Sequence, residues 1–99
     1  MEDAIIQQFT RVFGEESVVY LMGGESKEVA VRKMQLASEL ARELARQNVS
    51  EPVISTWFTR ESPRLDGQKP LEFLAEKSVQ EARAELWELV RAGIDYDKM

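Results

Sequence analysis

Ninety-nine residues, 43% of them hydrophobic and 31% charged, suit one folded domain that buries roughly two-thirds of its unfolded surface, and exclude a disordered chain or several independent domains. The chain has no Cys and no His, which rules out disulfides, thiolate chemistry and both Ser-His-Asp and Cys-His catalysis, and removes the commonest zinc ligand. The net charge of −5 is spread as −2 over residues 1–49 and −3 over residues 50–99, so neither half is a basic module of the kind that duplex binding needs.

The first apolar group, Ile5, Ile6, Phe9, Val12 and Phe13, recurs at helical spacing and stops at Gly14. Val18 to Met22 is a short apolar run closed by Gly23-Gly24. With no second strand to pair with, it reads as a short helix. Ser26 caps a long helix that runs to about Gln47, with Val29, Leu36, Leu40 and Leu44 on one face, Met34, Ala37 and Ala41 beside it, and Lys33, Glu39, Glu43 and Arg46 elsewhere. Asn48 stops that helix, and Ser50-Glu51-Pro52 starts the next, whose apolar side carries Val53, Ile54, Trp57 and Phe58.

Residues 59–69 read as an irregular segment with the turn pairs Ser62-Pro63 and Asp66-Gly67. Pro70 opens a short helix with Leu71, Phe73 and Leu74 inward, and Ser78 with Glu81 matches a capping box at the start of the last helix. That helix turns Val79, Ala82, Leu86, Leu89 and Val90 to one side and closes at Gly93, with Ile94 as the cap contact. The expected fold is all-α, a single-domain bundle of five or six helices around one long central helix. Leu36, Leu40, Leu44, Phe73, Leu86 and Leu89 are its expected core.

Few residues offer chemistry. Glu81, Glu85 and Glu88 share a helical stripe, which reads as a solvated acidic face before it reads as a metal site. Asp95 and Asp97 lack the Gly and distal Glu of a calcium loop, and Gly23-Gly24 lacks the Gly-Lys-Ser/Thr ending of a phosphate loop. No catalytic residue, cofactor site or metal site is expected, and the chain does not read as an enzyme. Trp57 and Phe58 are neighbours on a short helix and so point about 100° apart; one of them is left for a partner or for the underside of the loop. Arg11, Lys27, Arg32 and Lys33 are the cations near a helix-turn-helix-like stretch, interleaved with Glu15, Glu16, Glu25 and Glu28. A DNA-binding operon regulator using residues 11–35 is therefore the alternative reading, and DNA contact is the weaker expectation. The acidic start at Glu2-Asp3 is unlike a secretory signal, and no apolar run reaches the length of a membrane span, about 20 residues. A cytoplasmic protein without a membrane partner is expected.

Thr56-Trp57-Phe58 followed by Ser62-Pro63-Arg64-Leu65-Asp66-Gly67-Gln68-Lys69-Pro70 resembles the toxin-binding domain of the bacterial Xre/MbcA/ParS-type antitoxins. There a helix ending in Trp leads into an Asn-Pro-x-Leu-Gly/Asp-Gly-x-x-Pro turn, a short helix and a last helix ending in Gly. Ser62 stands in place of the usual Asn. The resemblance covers roughly residues 50–93. Residues 1–49 then stand as an N-terminal helical segment, a shortened helix-turn-helix remnant, and residues 94–99 as an exposed tail, all in one domain. The resemblance implies a non-catalytic antitoxin of a toxin-antitoxin system: it would bind a cognate RES-domain toxin and block that enzyme's consumption of NAD. Its contacts would come from Trp57, Arg60, Arg64, Leu65 and Lys69 and from Tyr96, Lys98 and Met99 of the tail, with Pro63, Asp66, Gly67 and Pro70 shaping the turn. A homodimer is left open.

Overall fold

The computed structural model describes residues 2–23 and 26–92. Its architecture is all-α, with helices α1 (Glu2–Phe13), α2 (Glu15–Met22), α3 (Lys27–Arg46), α4 (Glu51–Thr59), α5 (Pro70–Glu76) and α6 (Val79–Ala92), and a 3-10 turn at Pro63–Leu65 between α4 and α5. The expected cap at Gly93 and Ile94 and the tail through Tyr96, Lys98 and Met99 lie outside the described residues. No helix among those described is long and apolar enough to cross a membrane.

Local chemistry sets the helix boundaries. Gly14 parts α1 from α2 because it adopts φ +91°, a value that costs a side-chain-bearing residue free energy. Glu15 and Glu16 then occupy the first turn of α2, where carboxylates complement the exposed amides. The Ser26 hydroxyl accepts the Val29 amide at the head of α3. At its tail Asn48 turns left-handed, φ 67°. The Asn48 amide donates to the Ala45 carbonyl and the Val49 amide to that of Leu44, a Schellman closure that places apolar Val49 back against the helix end. Ser78 accepts the Glu81 amide, the forward half of the expected capping box. At α5 the Glu72 carboxylate accepts the Lys69 amide at 3.0 Å, an N-terminal closure for which Lys69 gave no sequence cue.

Helix α3 is the hub. It packs on α1, α2, α4 and α6 and fully buries Met34, Leu36, Ala37, Leu40 and Leu44. Three polar contacts show that α3 runs in the same direction as the α5–α6 segment. Lys33 meets the Ala75 carbonyl, Arg83 meets Glu39, and the Gln47 side-chain amide meets the Val90 carbonyl. Side-by-side helices of like direction need a crossover, which α4 and the turn supply. Phe9 of α1, Phe58 of α4, Leu74 of α5 and Leu86 and Val90 of α6 close the core around α3.

Three expectations need correction. Lys33 is not on the solvent side: it is 1% exposed, and its ammonium donates to the Ala75 carbonyl at 2.7 Å. That carbonyl lies in the last turn of α5, where backbone acceptors lack helical partners, so the buried charge is hydrogen-bonded to a group that needs a donor. Leu89 is half-buried at the edge of the core rather than inside it, because Leu86 and Val90 take the inward stripe of α6. Thr59 belongs to α4, and the irregular segment begins at Arg60. Replacing Lys33 with Met keeps the aliphatic stem but deletes the donor. Urea denaturation of K33M is expected to show a loss of about 1–3 kcal/mol, the cost of stranding a buried acceptor. A loss under about 0.5 kcal/mol would mean that water satisfies Ala75 equally well.

Candidate functional site

The segment between α4 and α5 is a closed turn. The Ser62 carbonyl accepts the Leu65 amide at 3.0 Å and the Gly67 amide at 2.9 Å. The Ser62 amide donates to the Gln68 carbonyl at 2.9 Å, and the Gln68 amide to that of Leu65 at 3.1 Å. Asp66 and Gly67 take consecutive left-handed conformations, φ 56° and 85°, which reverse the chain within two residues. Asp tolerates that region better than most residues and Gly best of all. The Gln68 side chain is tied to Glu76 of α5 at 2.7 Å. Pro70, fully buried, starts α5 with its fixed φ.

Pro63, Asp66, Gly67 and Pro70 therefore shape the turn as their sequence predicts. A Cβ built on Gly67 meets nothing within 4 Å, so substitution there is opposed by backbone conformation alone. Gly67→Ala is expected to cost about 1–2 kcal/mol and Gly67→Asn clearly less, both measured by thermal unfolding.

The turn presents its cations outward: Arg60, Arg64 and Lys69 are all exposed. The ion pairs Glu28–Arg32, Glu43–Arg46 and Glu39–Arg83 make no use of them. Leu65, expected at a partner contact, is instead 5% exposed and part of the core. The 3-10 turn rolls it inward, so it anchors the loop. Trp57 and Phe58 divide as their angular separation requires. Phe58 is fully buried, while Trp57 is half-buried and lies edge-on to it, with ring centroids 4.8 Å apart. Arg60, Arg64 and Lys69 thus lie on one backbone-bonded turn, and Trp57 on the last turn of the helix that leads into it. Tyr96, Lys98 and Met99 fall outside the described residues.

The other candidate clusters behave differently. Of the four cations of the helix-turn-helix-like stretch, Lys33 is buried and Arg32 pairs with Glu28 at 3.3 Å. Among the described residues no three Asp or Glu side chains gather as a metal site, the stripe at Glu81, Glu85 and Glu88 included. On α2 the burial pattern has one surprise. Ser17 and Leu21 face inward, while Val19 and Tyr20 are 69% and 47% exposed. Ser17 is held inside because its hydroxyl donates to the Phe13 carbonyl at 3.0 Å. The Tyr20 hydroxyl titrates above its usual range, raised first by partial burial and then by the carboxylates of Glu72 and Glu76, which places α5 beside it. In comparisons with protein-family models, with curated proteins and with solved structures, no match to this chain was found.

Proposed function

We infer that this chain is a non-catalytic binding protein whose partner docks on the turn at residues 60–69 and on the exposed part of Trp57. One observation carries the reading: an exposed loop bearing Arg60, Arg64 and Lys69 is locked by its own backbone hydrogen bonds and by the buried Leu65. A loop ordered before contact loses little conformational entropy on binding, so more of its interaction energy appears as affinity. Arg and Trp are also the side chains most often found at the energetic centres of protein interfaces. The partner class comes from the resemblance of residues 57–70 to antitoxins of the Xre/MbcA/ParS type: a RES-domain enzyme that consumes NAD, inhibited by occlusion.

The test is inhibition. A RES-domain toxin encoded beside this chain, assayed for NAD consumption, is expected to lose activity on titration with the purified protein. Arg64→Glu and Trp57→Ala are each expected to weaken inhibition by about tenfold or more. Undiminished NAD consumption at saturating protein would overturn the reading. Regulation of an operon through residues 11–35 is the less favoured function, because burial of Lys33 removes one of the few cations available to meet phosphate.

A further inference from the structure

A cleft of about 200 Å³ opens between α1, α3 and the start of α4, with Val12, Phe13, Ala41, Val49 and Ile54 among its apolar walls. Arg11, Arg42 and Glu51 also line it, and all three are exposed. Among the described residues these three enter no ion pair, whereas Arg32, Arg46 and Arg83 each hold a Glu. Small-molecule sites usually enclose about 300–1,000 Å³, so this cleft has room for one large side chain and little more. Two cations and one anion around it favour a side chain that arrives with more acid than base. Residues 93–99 carry that combination: Tyr96 stands between Asp95 and Asp97, and Lys98 follows. The path is short enough. The Gln47 side-chain amide donates to the Val90 carbonyl at 3.1 Å, so α6 ends beside the end of α3. Ala45 and Val49, two residues to either side of Gln47, both line the cleft. Glu39 and Gln47 face α6, while Ser38, Ala41 and Arg42 face the cleft. A segment leaving Ala92 therefore has to pass round the end of α3, about 10–12 Å for a helix with its side chains. Four extended residues span up to about 13–14 Å, which brings Tyr96 to the cleft.

We propose that residues 93–99 dock on their own chain, with Tyr96 in the apolar cleft, Asp95 and Asp97 at Arg11 and Arg42, and Lys98 at Glu51. The ring supplies most of the buried area, and its hydroxyl stays at the wet rim. The charge pairs set the register, and Lys98 answers the one anion that would otherwise repel an acidic segment. Exposed pairs of this kind are worth only about 0.2–1 kcal/mol each. They suffice with the ring because a segment tethered this close meets the cleft at an effective concentration in the millimolar range. The contact uses neither the turn at residues 60–69 nor Trp57 and stands independently of the partner proposed above.

The experiment is paramagnetic broadening in the full chain. The chain has no Cys, so Met99→Cys provides a single site for a nitroxide label. The backbone amides of Ala41, Ala45 and Ile54 are expected to lose most of their NMR intensity. Those of Leu74 and Ala75, which lie beside Lys33 toward the other end of α3, should keep theirs. Arg11→Glu with Arg42→Glu, placed in the labelled chain, should abolish the broadening at the cleft. Adding Asp95→Arg and Asp97→Arg to that protein restores opposite charges and should bring the broadening back, a rescue that a misfolded variant cannot show. Broadening that is absent from the cleft, spread evenly over the chain or indifferent to these reversals would overturn the proposal. So would broadening that arises only between a labelled chain and a separate isotope-enriched one, since that would seat the segment on a second copy.

Discussion

Phe58→Ala is expected to be the most damaging single truncation, costing about 3–5 kcal/mol. Phe58 is fully buried and sits between two other rings. Phe13 meets it edge-on with centroids 4.7 Å apart, and Trp57 lies at 4.8 Å on another side. Phe13 in turn contacts Phe9 at 4.6 Å. Truncation therefore opens a cavity and also removes two aromatic contacts, each worth about 0.5–1.5 kcal/mol beyond buried area. In a domain of this size 1 kcal/mol shifts Tm by roughly 4–8 °C, so the melting temperature should fall by about 15 °C or more. Since whole domains are stable by only about 5–15 kcal/mol, F58A should stand close to unfolding at ordinary temperatures. A loss below about 1 kcal/mol would mean that α4 does not pack on α1 through this ring.

Leu40→Ala should follow, with a loss of about 2–5 kcal/mol in urea denaturation. Leu40 is fully buried at the middle of α3, and α3 has neighbours on several sides in α1, α2, α4 and α6. A void whose walls are held by separate helices collapses poorly, which puts the cost toward the upper part of that range. Leu40→Met preserves most of the volume and should cost less than about 1.5 kcal/mol. The contrast between the two variants separates lost packing from any change in helix propensity, since Ala, Leu and Met are all good helix formers.

Helix ends and the central core were legible in the sequence because they depend on neighbours along the chain. Ser26, Asn48 and Ser78 act through amides within five residues, and the spacing of Leu36, Leu40 and Leu44 already defines the buried stripe of α3. Lys33 sits on that same stripe, three residues before Leu36 and seven before Leu40. Its placement was available from spacing, but its charge pointed outward, and the carbonyl that accepts it lies 42 residues away. On α2 the inward place of Ser17 and the outward place of Tyr20 had no cue in the spacing: a hydroxyl bonded within its own helix is easily buried, and a short helix has only a narrow inward face. In the candidate site, the turn residues Pro63, Asp66, Gly67 and Pro70 were readable because their backbone preferences are intrinsic. The inward roll of Leu65 was not, since it follows from the 3-10 geometry that brings the Leu65 amide onto the Ser62 carbonyl.

The three contacts from α3 to the α5–α6 segment, Lys33–Ala75, Glu39–Arg83 and Gln47–Val90, span 42, 44 and 43 residues. Nearly constant span means that one loop closure aligns all three. The first contact bears the entropic penalty, about 3 kcal/mol for a flexible loop of this length, and the other two form without a further search. Assembly of this pair therefore behaves like a zipper with a slow first tooth. In native-state hydrogen exchange the amides of α3 and α6 should open together as one cooperative unit, while α2, which makes no side-chain hydrogen bond of this span among the described residues, should exchange from a smaller and more frequent opening.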